Sequence, residues 1–370
     1  MKKLLLPLIF LASVLPAQAQ RLNCDQASDA PVLSAEIETM PVKSPVSPGE
    51  MFASRTKSEQ VTCIVAGLLA RQASAQEDHK RVVQQFEESW NGTEWQSVYQ
   101  VMAMYDANGF FSEFLFEFWN GTEWVIEERD SFVNDANGNV LETTIEVDFG
   151  AGLEPYERQS STFDANGNQV TSFASMWDGS EWVYWFRSYL TYNENDQQTG
   201  FMNEIYVEGI EDWLYNFAGI FAYDGLGRLE SLINQFWNDD METWDDAFRT
   251  LHVYDTATRV STFESWDEFM GVWSRSSRET STYDTLGQEI EYISEYWNGT
   301  EWVVSVRITK TYGPDGIESE TIEFWNGTEF VLQSRALTTY DGEGCLVEEL
   351  EQMWDGSDWA DYYRYTYTYE

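Results

Sequence analysis

The sequence predicts an all-β protein: a tandem array of ten antiparallel β-hairpins, each about 29 residues long, forming an extended, curved or wound sheet. Two observations predict this fold. A Trp-Asn-Gly-Thr-Glu-Trp string recurs at nearly constant spacing, and a Tyr lies ten residues after its second aromatic position in most copies. Because Asn-Gly and Asp-Gly tolerate the positive φ of tight hairpin turns, the string and the turn residues after the Tyr are both predicted to join strands.

The repeat keeps its register along the whole later part of the chain. Its first aromatic positions, separated by 28 to 31 residues, are Trp90, Trp119, Asp148, Trp177, Tyr206, Trp237, Trp266, Trp297, Trp325 and Trp354. The residues between the turns are β-branched and aromatic, as from Trp302 to Tyr312, without apolar spacing at i, i+3 and i+4. Ten units therefore predict about twenty strands.

The alternation of side chains predicts how each strand is divided between two faces. An Arg recurs five residues after the second aromatic position, and a Glu recurs two residues before the first. With a period of two, the two aromatic positions, the Glu and the Tyr are predicted to share one face, and the Arg the other.

The chain before the repeats has a different composition. Residues 1–19 are predicted to be a signal peptide, with Lys2 and Lys3 before an apolar run and an Ala17-Gln18-Ala19 cleavage pattern. Residues 20–85 are predicted to be a flexible, partly helical segment, with one or two short helices between positions 59 and 88. The repeat domain is assigned to 86–370. Among the three cysteines, Cys24 and Cys63 form a plausible pair, which leaves Cys345 over.

The charge of the chain excludes several partners. The formal net charge is −43, and residues 86–370 carry 12 Lys and Arg against 56 Asp and Glu. Such a surface repels phosphate and anionic lipid, so we expect no nucleic-acid partner. We also expect no membrane span, because the apolar stretch from Val61 to Ala70 is too short and neither face of the strand from Trp273 to Tyr283 suits lipid. Life in high salt and divalent-cation binding both remain open as reasons for the acidity.

Short strings in the repeats resemble a known family. Tyr223-Asp-Gly-Leu-Gly-Arg-Leu229, Tyr105-Asp-Ala-Asn-Gly109 and Tyr283-Asp-Thr-Leu-Gly287 resemble the YD repeats of RHS-like bacterial surface and toxin-shell proteins. The chain also looks like secreted repeat proteins of Bacteroidota-type bacteria. The resemblance implies a continuous antiparallel sheet and a role in surface attachment, carbohydrate binding or enclosure. The Trp-Asn-Gly-Thr-Glu-Trp hairpin departs from the usual YD unit.

Aromatic side chains in three consecutive units are the candidate ligand site. The loops at 207–212, 238–243 and 267–272 are each two residues longer than in the other units, and loops on a rigid scaffold often carry function. The predicted ligand-binding residues flank these loops: Trp213, Trp237, Trp244, Trp266 and Trp273. The alternative is that these rings are the hydrophobic clamp of each hairpin, which their recurrence in every unit favours.

The Asp-Ala-Asn-Gly strings are candidate Ca²⁺ ligands, because they alternate oxygen-bearing side chains. The residues concerned are Asp106, Asn108, Asp135, Asn137, Asp164 and Asn166. The strings lack the 12-residue loop with a terminal Glu, which favours the alternative that they are turns alone. We expect no other cofactor.

These observations lead to three functional hypotheses. The first is a secreted or cell-surface scaffold (periplasm included) that binds extracellular polysaccharide, or a surface protein, without catalysis. The second is a purely structural or shell-forming array. The third is a carbohydrate-active enzyme, for which neither His79 nor His252 nor a distinct carboxylate pair supplies a catalytic constellation.

Overall fold

A computed structural model describes residues 81–267 and 269–370, which form twenty antiparallel strands and confirm the all-β prediction. In chain order, the strands are β1 Val82–Trp90, β2 Trp95–Tyr105, β3 Phe111–Trp119, β4 Trp124–Asn134, β5 Val140–Asp148, β6 Leu153–Phe163, β7 Gln169–Trp177, β8 Trp182–Tyr192, β9 Gln198–Val207, β10 Asp212–Tyr223, β11 Leu229–Asn238, β12 Thr243–Tyr254, β13 Thr258–Asp267, β14 Val272–Tyr283, β15 Glu289–Trp297, β16 Trp302–Gly313, β17 Gly316–Trp325, β18 Phe330–Tyr340, β19 Leu346–Trp354 and β20 Trp359–Tyr369.

The sheet closes on itself. Each strand pairs with the next along the chain, and β1 also pairs with β20, with Gln85 opposite Tyr367 and Glu88 opposite Arg364. Beyond this pairing, the Arg81 N–H donates to the Glu370 carbonyl and the Glu370 N–H donates back, each at 2.9 Å. The predicted extended, curved or wound sheet is therefore an up-and-down barrel without a free edge.

The two kinds of turn occupy opposite rims of the barrel. In the Trp-flanked turns, which we call the Trp rim, the Asn91 side-chain oxygen accepts hydrogen bonds from the Thr93 N–H, the Thr93 hydroxyl and the Glu94 N–H, and Gly92 has a φ of +97°. In the Tyr-flanked turns, which we call the Tyr rim, Asp106 Oδ1 accepts from the N–H groups of residues 108 and 110. The recurring side chains of both strings are thus required by the turns themselves.

One prediction about the strand faces was wrong, because every unit contains a β-bulge. In β8 the register shifts so that Tyr184 pairs with Ser175 and Phe186 with Ala174, which leaves Trp185 as the extra residue. The same shift occurs three residues after the second aromatic position in all ten units. An extra residue inverts the alternation. The Arg therefore lies on the same face as the aromatic pair and the Glu, and the Tyr lies on the opposite face.

The register also sets the width of the barrel. Phe86, four residues before the first aromatic position, pairs with Gln100, which pairs with Glu117, two residues before the next such position. Each unit is therefore displaced along the strand direction by two residues relative to the preceding unit. Over ten units these displacements add up to a stagger of about twenty residues for the twenty strands. An eight-stranded barrel with a stagger of eight residues has its strands tilted by about 36° from the barrel axis. The ratio of stagger to strand number is the same here, so we expect the same tilt. With about 4.8 Å between neighbouring strands, twenty strands at this tilt give a barrel radius of about 19 Å.

The face that carries the tyrosines is the inner wall. Its side chains include the buried core cluster of Val82, Val101, Ala103, Phe111, Phe114 and Phe116. The tyrosines brace this wall near the Tyr rim: the Tyr192 hydroxyl donates to the Gln169 carbonyl at 2.9 Å, and the Tyr223 hydroxyl donates to the Gln198 carbonyl at 2.8 Å. The face that carries the Trp pairs, the Arg and the Glu is the outer wall.

Several expectations concern the region before the barrel. Strand β1 begins at Val82, so positions 82–88 are not helical and the strand starts before the predicted boundary at 86. The rest of the predicted helical stretch, the signal peptide, Cys24 and Cys63 lie outside the described residues. Cys345 is buried. Within the described residues, no helix is long and apolar enough to cross a membrane.

Candidate functional site

A ring of cross-strand pairs encircles the outer wall. In six of the ten units an Arg lies directly opposite the Glu of the next unit, as with Arg278 and Glu295 or Arg307 and Glu323. Arg278 Nε and Nη2 donate to Glu295 at 2.6 and 2.8 Å, a bidentate arrangement that fixes both side chains. At the closure of the barrel, Arg364 forms the same ion pair with Glu88.

The same guanidinium groups cover the second tryptophan of the following unit. Arg187 lies 4.3 Å from the Trp213 ring centroid, and Arg249 lies 4.5 Å from that of Trp273. Such cation–π contacts contribute about 0.5–1 kcal/mol at exposed sites. A tryptophan covered in this way has one ring face occupied by the protein.

The ion pairs are missing at four of the ten positions. Gln100 lies opposite Glu117, Arg158 opposite Ser175, and Arg335 opposite Gln352. Only the fifth unit lacks both the Arg and the Glu. Ala218 takes the position of the Arg in the fifth unit, and the residue opposite it is Gln235 instead of Glu. Trp244, which this Arg would cover, therefore has no guanidinium over it. Gln235 instead donates from Nε2 to Asp246 Oδ1 at 2.8 Å, and Asn238 Nδ2 donates to Asp245 Oδ2 at 2.5 Å.

A cleft of about 670 Å³ lies next to these residues at the Trp rim, between β11, β12 and β13, and its lining includes Asp246, the partner of Gln235. The two tryptophans that line it come from successive units, Trp237 at the end of β11 and Trp266 near the end of β13. Four carboxylates share the lining: Asp239, Asp240, Asp245 and Asp246. Indole rings beside several carboxylates can stack on an apolar ligand face and accept hydrogen bonds from its hydroxyl groups.

The structure brings together only part of the predicted aromatic site. Trp237 and Trp266 share the cleft, and Trp244 packs edge-on against Trp237 with centroids 5.2 Å apart. Trp213 and Trp273 lie outside the lining, and each is covered by an Arg.

Sequence reasoning missed the acidic part of the cleft and the missing ion pair of the fifth unit. Ala218 and Gln235 depart together from the repeat pattern, and this paired departure was the available signal.

The predicted calcium ligands are engaged in their turns. Asp135 Oδ1 accepts from the N–H groups of residues 137 and 139, Asp135 Oδ2 accepts from Asn139 Nδ2, and Asp164 repeats this pattern. These hydrogen bonds lower the pKa of the Asp135 carboxyl, chiefly through Asn139. Among the described residues, no three His, Cys, Asp or Glu side chains converge as metal ligands. The Ca²⁺ assignment stays a prediction.

A second concentration of carboxylates lies on the inner wall, where burial dominates their chemistry. Desolvation raises the pKa of Glu87 and of Glu128 from 4.5 to about 7. Desolvation, followed by the charge of Glu128, raises the pKa of Asp130, and desolvation also raises that of Glu157. Asp130 Oδ1 and Glu157 Oε2 are buried and accept no hydrogen bond from the described part of the chain. In the cleft, by contrast, Asp239 and Asp240 are exposed and Asp245 and Asp246 are half-buried.

The fold and the cleft define a twenty-stranded up-and-down β-barrel with an aromatic and acidic site on one rim. No family model matches the chain, and no curated protein matches it. The resemblance to YD-repeat proteins therefore stays a prediction at the family level.

Solved structures give distant similarities. A porin-like protein from Bacteroides uniformis is 10% identical over 78% of this chain and 98% of that one, with a TM-score of 0.33. A Bacteroides fragilis protein of unknown function is 13% identical over 33% of this chain and 91% of that one, with a TM-score of 0.29. A chain of the Photorhabdus luminescens Tc holotoxin pore is 10% identical over 72% of this chain and 20% of that one, with a TM-score of 0.24.

Proposed function

We propose that the protein is a non-catalytic barrel, secreted or attached to the cell surface, that binds extracellular polysaccharide in the cleft on its Trp rim. The observation that carries this proposal is the joint presence of Trp237, Trp266 and four Asp side chains in one cleft. A pyranose ring presents an apolar face and a rim of hydroxyl groups, which are the complements of an indole face and of carboxylate oxygens.

The absence of an Arg supports the choice of this cleft over the Trp pairs that an ion-paired Arg covers. In the eighth unit, Trp297 and Trp302 also lie 5.2 Å apart, but Arg278 covers Trp302 at 4.9 Å and is itself held by Glu295. A ligand there would have to displace an ion-paired guanidinium. In the cleft, the carboxylates of Asp245 and Asp246 have neutral amide partners and keep lone pairs for a ligand.

The outer wall is suited to water. Six Arg–Glu ion pairs lie on the outer wall between the rims, and the positions closer to the Tyr rim add polar groups such as Glu113, Ser131 and Thr280. Ion pairs and hydroxyls of this kind would be costly against hydrocarbon. The proposed location is therefore the extracellular or periplasmic space, or the cell surface, with the outer wall in solvent.

A glycan-array screen of the full chain, followed by titration of the best ligand, tests the proposal. Trp237→Ala and Trp266→Ala are expected to weaken binding at least tenfold, because stacking on each ring is lost. The matched control is Trp297→Ala, which removes an equivalent ring away from the cleft and should leave affinity unchanged. Thermal unfolding of each variant separates lost binding from lost folding. Absence of binding to any glycan, or an equal loss in the control, would refute the proposal.

The second candidate is a shell-forming role, which the closure between β1 and β20 favours. A closed wall about 19 Å in radius encloses space that an open array would not. Under this alternative no glycan binds the rim and the function resides in what the barrel encloses.

A further inference from the structure

The three longer loops of the Trp rim share an apolar residue at the same position. The fourth residue after the first aromatic position is Ile210, Met241 or Met270 in these loops. Their side chains are 58%, 70% and 62% exposed, and Phe269 beside Met270 is 99% exposed. In the shorter turns of the other units, the only large apolar side chain is Phe149. A single exposed apolar residue is ordinary, whereas a cluster of them marks an interaction surface.

The turn geometry of these loops does not depend on the apolar side chains. The next residue has a positive φ in each loop, at 54°, 52° and 65° for Glu211, Glu242 and Gly271. Asn238 Oδ1 accepts a hydrogen bond from the Met241 N–H, and Asp267 Oδ1 accepts one from the Met270 N–H. The turns thus use the backbone of the two methionines, whereas their side chains extend into solvent.

The three loops lie next to one another on the rim. Because β10 pairs with β11 and β12 pairs with β13, the hairpins that carry the loops are neighbours. Two strand spacings around a tilted rim separate successive loop tips by about 10–12 Å. Ile210, Met241, Phe269 and Met270 therefore form a row about 20–24 Å long, which we call the apolar row.

Carboxylates surround the apolar row. The loops at 207–212, 238–243 and 267–272 contain eight Asp and Glu residues and no Lys, Arg or His. Among their described residues, six acids are exposed: Glu208, Glu211, Asp212, Asp239, Asp240 and Glu242. A second copy of this chain would bring the same acids against them, and anionic lipid would also be repelled. The surface therefore fits a partner that carries positive charge together with apolar side chains.

We propose that the apolar row and the acids around it bind a basic amphipathic α-helix of a protein partner. Residues seven apart on a helix lie about 10.5 Å apart along its axis and on nearly the same face, which matches the spacing of the loop tips. About 15 residues of helix would span the row. Lys and Arg on either side of the apolar stripe of the helix would then meet the carboxylates.

This surface is distinct from the cleft proposed to bind polysaccharide. No member of the apolar row lines that cleft, although the neighbouring residues Asp239 and Asp240 do. The cleft offers indole faces and carboxylates to a sugar, whereas the row offers flexible aliphatic and aromatic tips to an apolar face. Binding of a protein helix is therefore a function beyond the binding of polysaccharide.

Fluorescence anisotropy with a labelled synthetic peptide tests the proposal in the full chain. The probe is a helix of about 15 residues made of Leu, Lys and Ala, with Leu at every third or fourth position along one face. Ile210→Ser, Met241→Ser and Met270→Ser are combined in one variant, which should weaken binding of the probe about tenfold or more. The matched control combines Leu226→Ser and Leu286→Ser, which removes two leucines that are 79% and 80% exposed on the Tyr rim, and should leave the affinity unchanged.

A second peptide separates helix recognition from attraction between opposite charges. It has the same composition with Leu spread around the helix, and should bind the parent chain about tenfold more weakly than the probe. Equal binding of the two peptides would overturn the proposal. It would also be overturned if the triple variant bound the probe as tightly as the parent does, or if the parent did not bind the probe.

Two other occupants of the surface are tested without the peptide. Sedimentation should show the same mass for the parent and the triple variant, and a parent dimer that the variant dissociates would assign the row to a second copy. Flotation with phosphatidylcholine vesicles should show no binding, and binding that the triple variant abolishes would assign the row to lipid. Either of these results would overturn the proposal. The exposed positions of the substitutions predict an unchanged melting temperature, which verifies that the variants are folded.

Discussion

Glu87 lies on the inner wall of β1, opposite Tyr99, and burial raises its pKa from 4.5 to about 7. The folded state therefore holds this proton more tightly than the unfolded state does. The resulting stabilisation is fully present below about pH 4.5 and is lost as the pH rises through about 7. A shift of about 2.5 pKa units, at 1.36 kcal/mol per unit, corresponds to about 3 kcal/mol of unfolding free energy.

Replacing Glu87 with Gln removes the ionisable group and keeps the shape of its protonated form. At pH 4.5 the free energies of unfolding of the variant and the parent should be close. By pH 8 the variant should be more stable by about 3 kcal/mol, because only the parent must ionise a buried carboxyl. Urea unfolding, followed by tryptophan fluorescence at intervals between these pH values, measures the difference.

Glu94 in the exposed turn between β1 and β2 supplies the control. Glu94→Gln should change the free energy of unfolding by the same small amount at every pH. If the gap between Glu87→Gln and the parent stays constant from pH 4.5 to 8, then Glu87 is not desolvated in the folded chain. The description of the inner wall as a buried, acid-lined surface would then be wrong at this position.

Two further variants test the outer wall and the turns. Ala218→Arg combined with Gln235→Glu should create the ion pair in the fifth unit and cover Trp244. We expect the free energy of unfolding to rise by about 1 kcal/mol and glycan binding at the cleft to weaken; a gain in stability with unchanged affinity would separate this ion pair from the site. Asn298→Ala removes the oxygen that accepts three hydrogen bonds, two from Thr300 and one from Glu301. Urea unfolding should show a free energy of unfolding about 1–2 kcal/mol lower than that of the parent. An unchanged unfolding midpoint would contradict the role of this side chain in the turn.

The strands and turns could be predicted because local chemistry determines them. Asn91 and Gly92 are needed for the geometry of one turn, and this need is visible as the repeated string itself. The same holds for the Asp side chains of the Tyr rim. A residue type that a turn requires recurs at the same position in successive units, so it can be recognised from the sequence alone.

The faces of the strands could not be predicted, because the bulge has no residue signature. Its extra residue is Val98, Trp185, Ala247 or Ser276 in different units, so nothing in the composition marks it. The error placed Arg and Glu on opposite faces and hid the ion pairs of the outer wall.

Closure was equally inaccessible to sequence reasoning. It depends on the sum of ten small displacements between units, and it becomes apparent only when β20 meets β1.

Ligand binding by the predicted aromatic residues stays a prediction, and the structure shows only where these residues lie. The longer loops directed attention to Trp237 and Trp266, and the cleft contains both. The carboxylates at Asp245 and Asp246 were hidden among the many acids of the chain. The strand register is needed to see that Ala218, where other units have an Arg, lies two strands away from Asp246, with Gln235 between them.

Pairing between β1 and β20 also has a consequence for how the chain folds. The other nineteen strand pairs join neighbours in sequence and can form as each hairpin emerges, whereas the ion pair between Glu88 and Arg364 joins residues 276 positions apart. Until the last strand arrives, the growing sheet exposes two unpaired edges, and such edges recruit strands of other chains. The slowest and most concentration-sensitive step of folding is therefore expected at the meeting of the first and last strands, where a long loop must close.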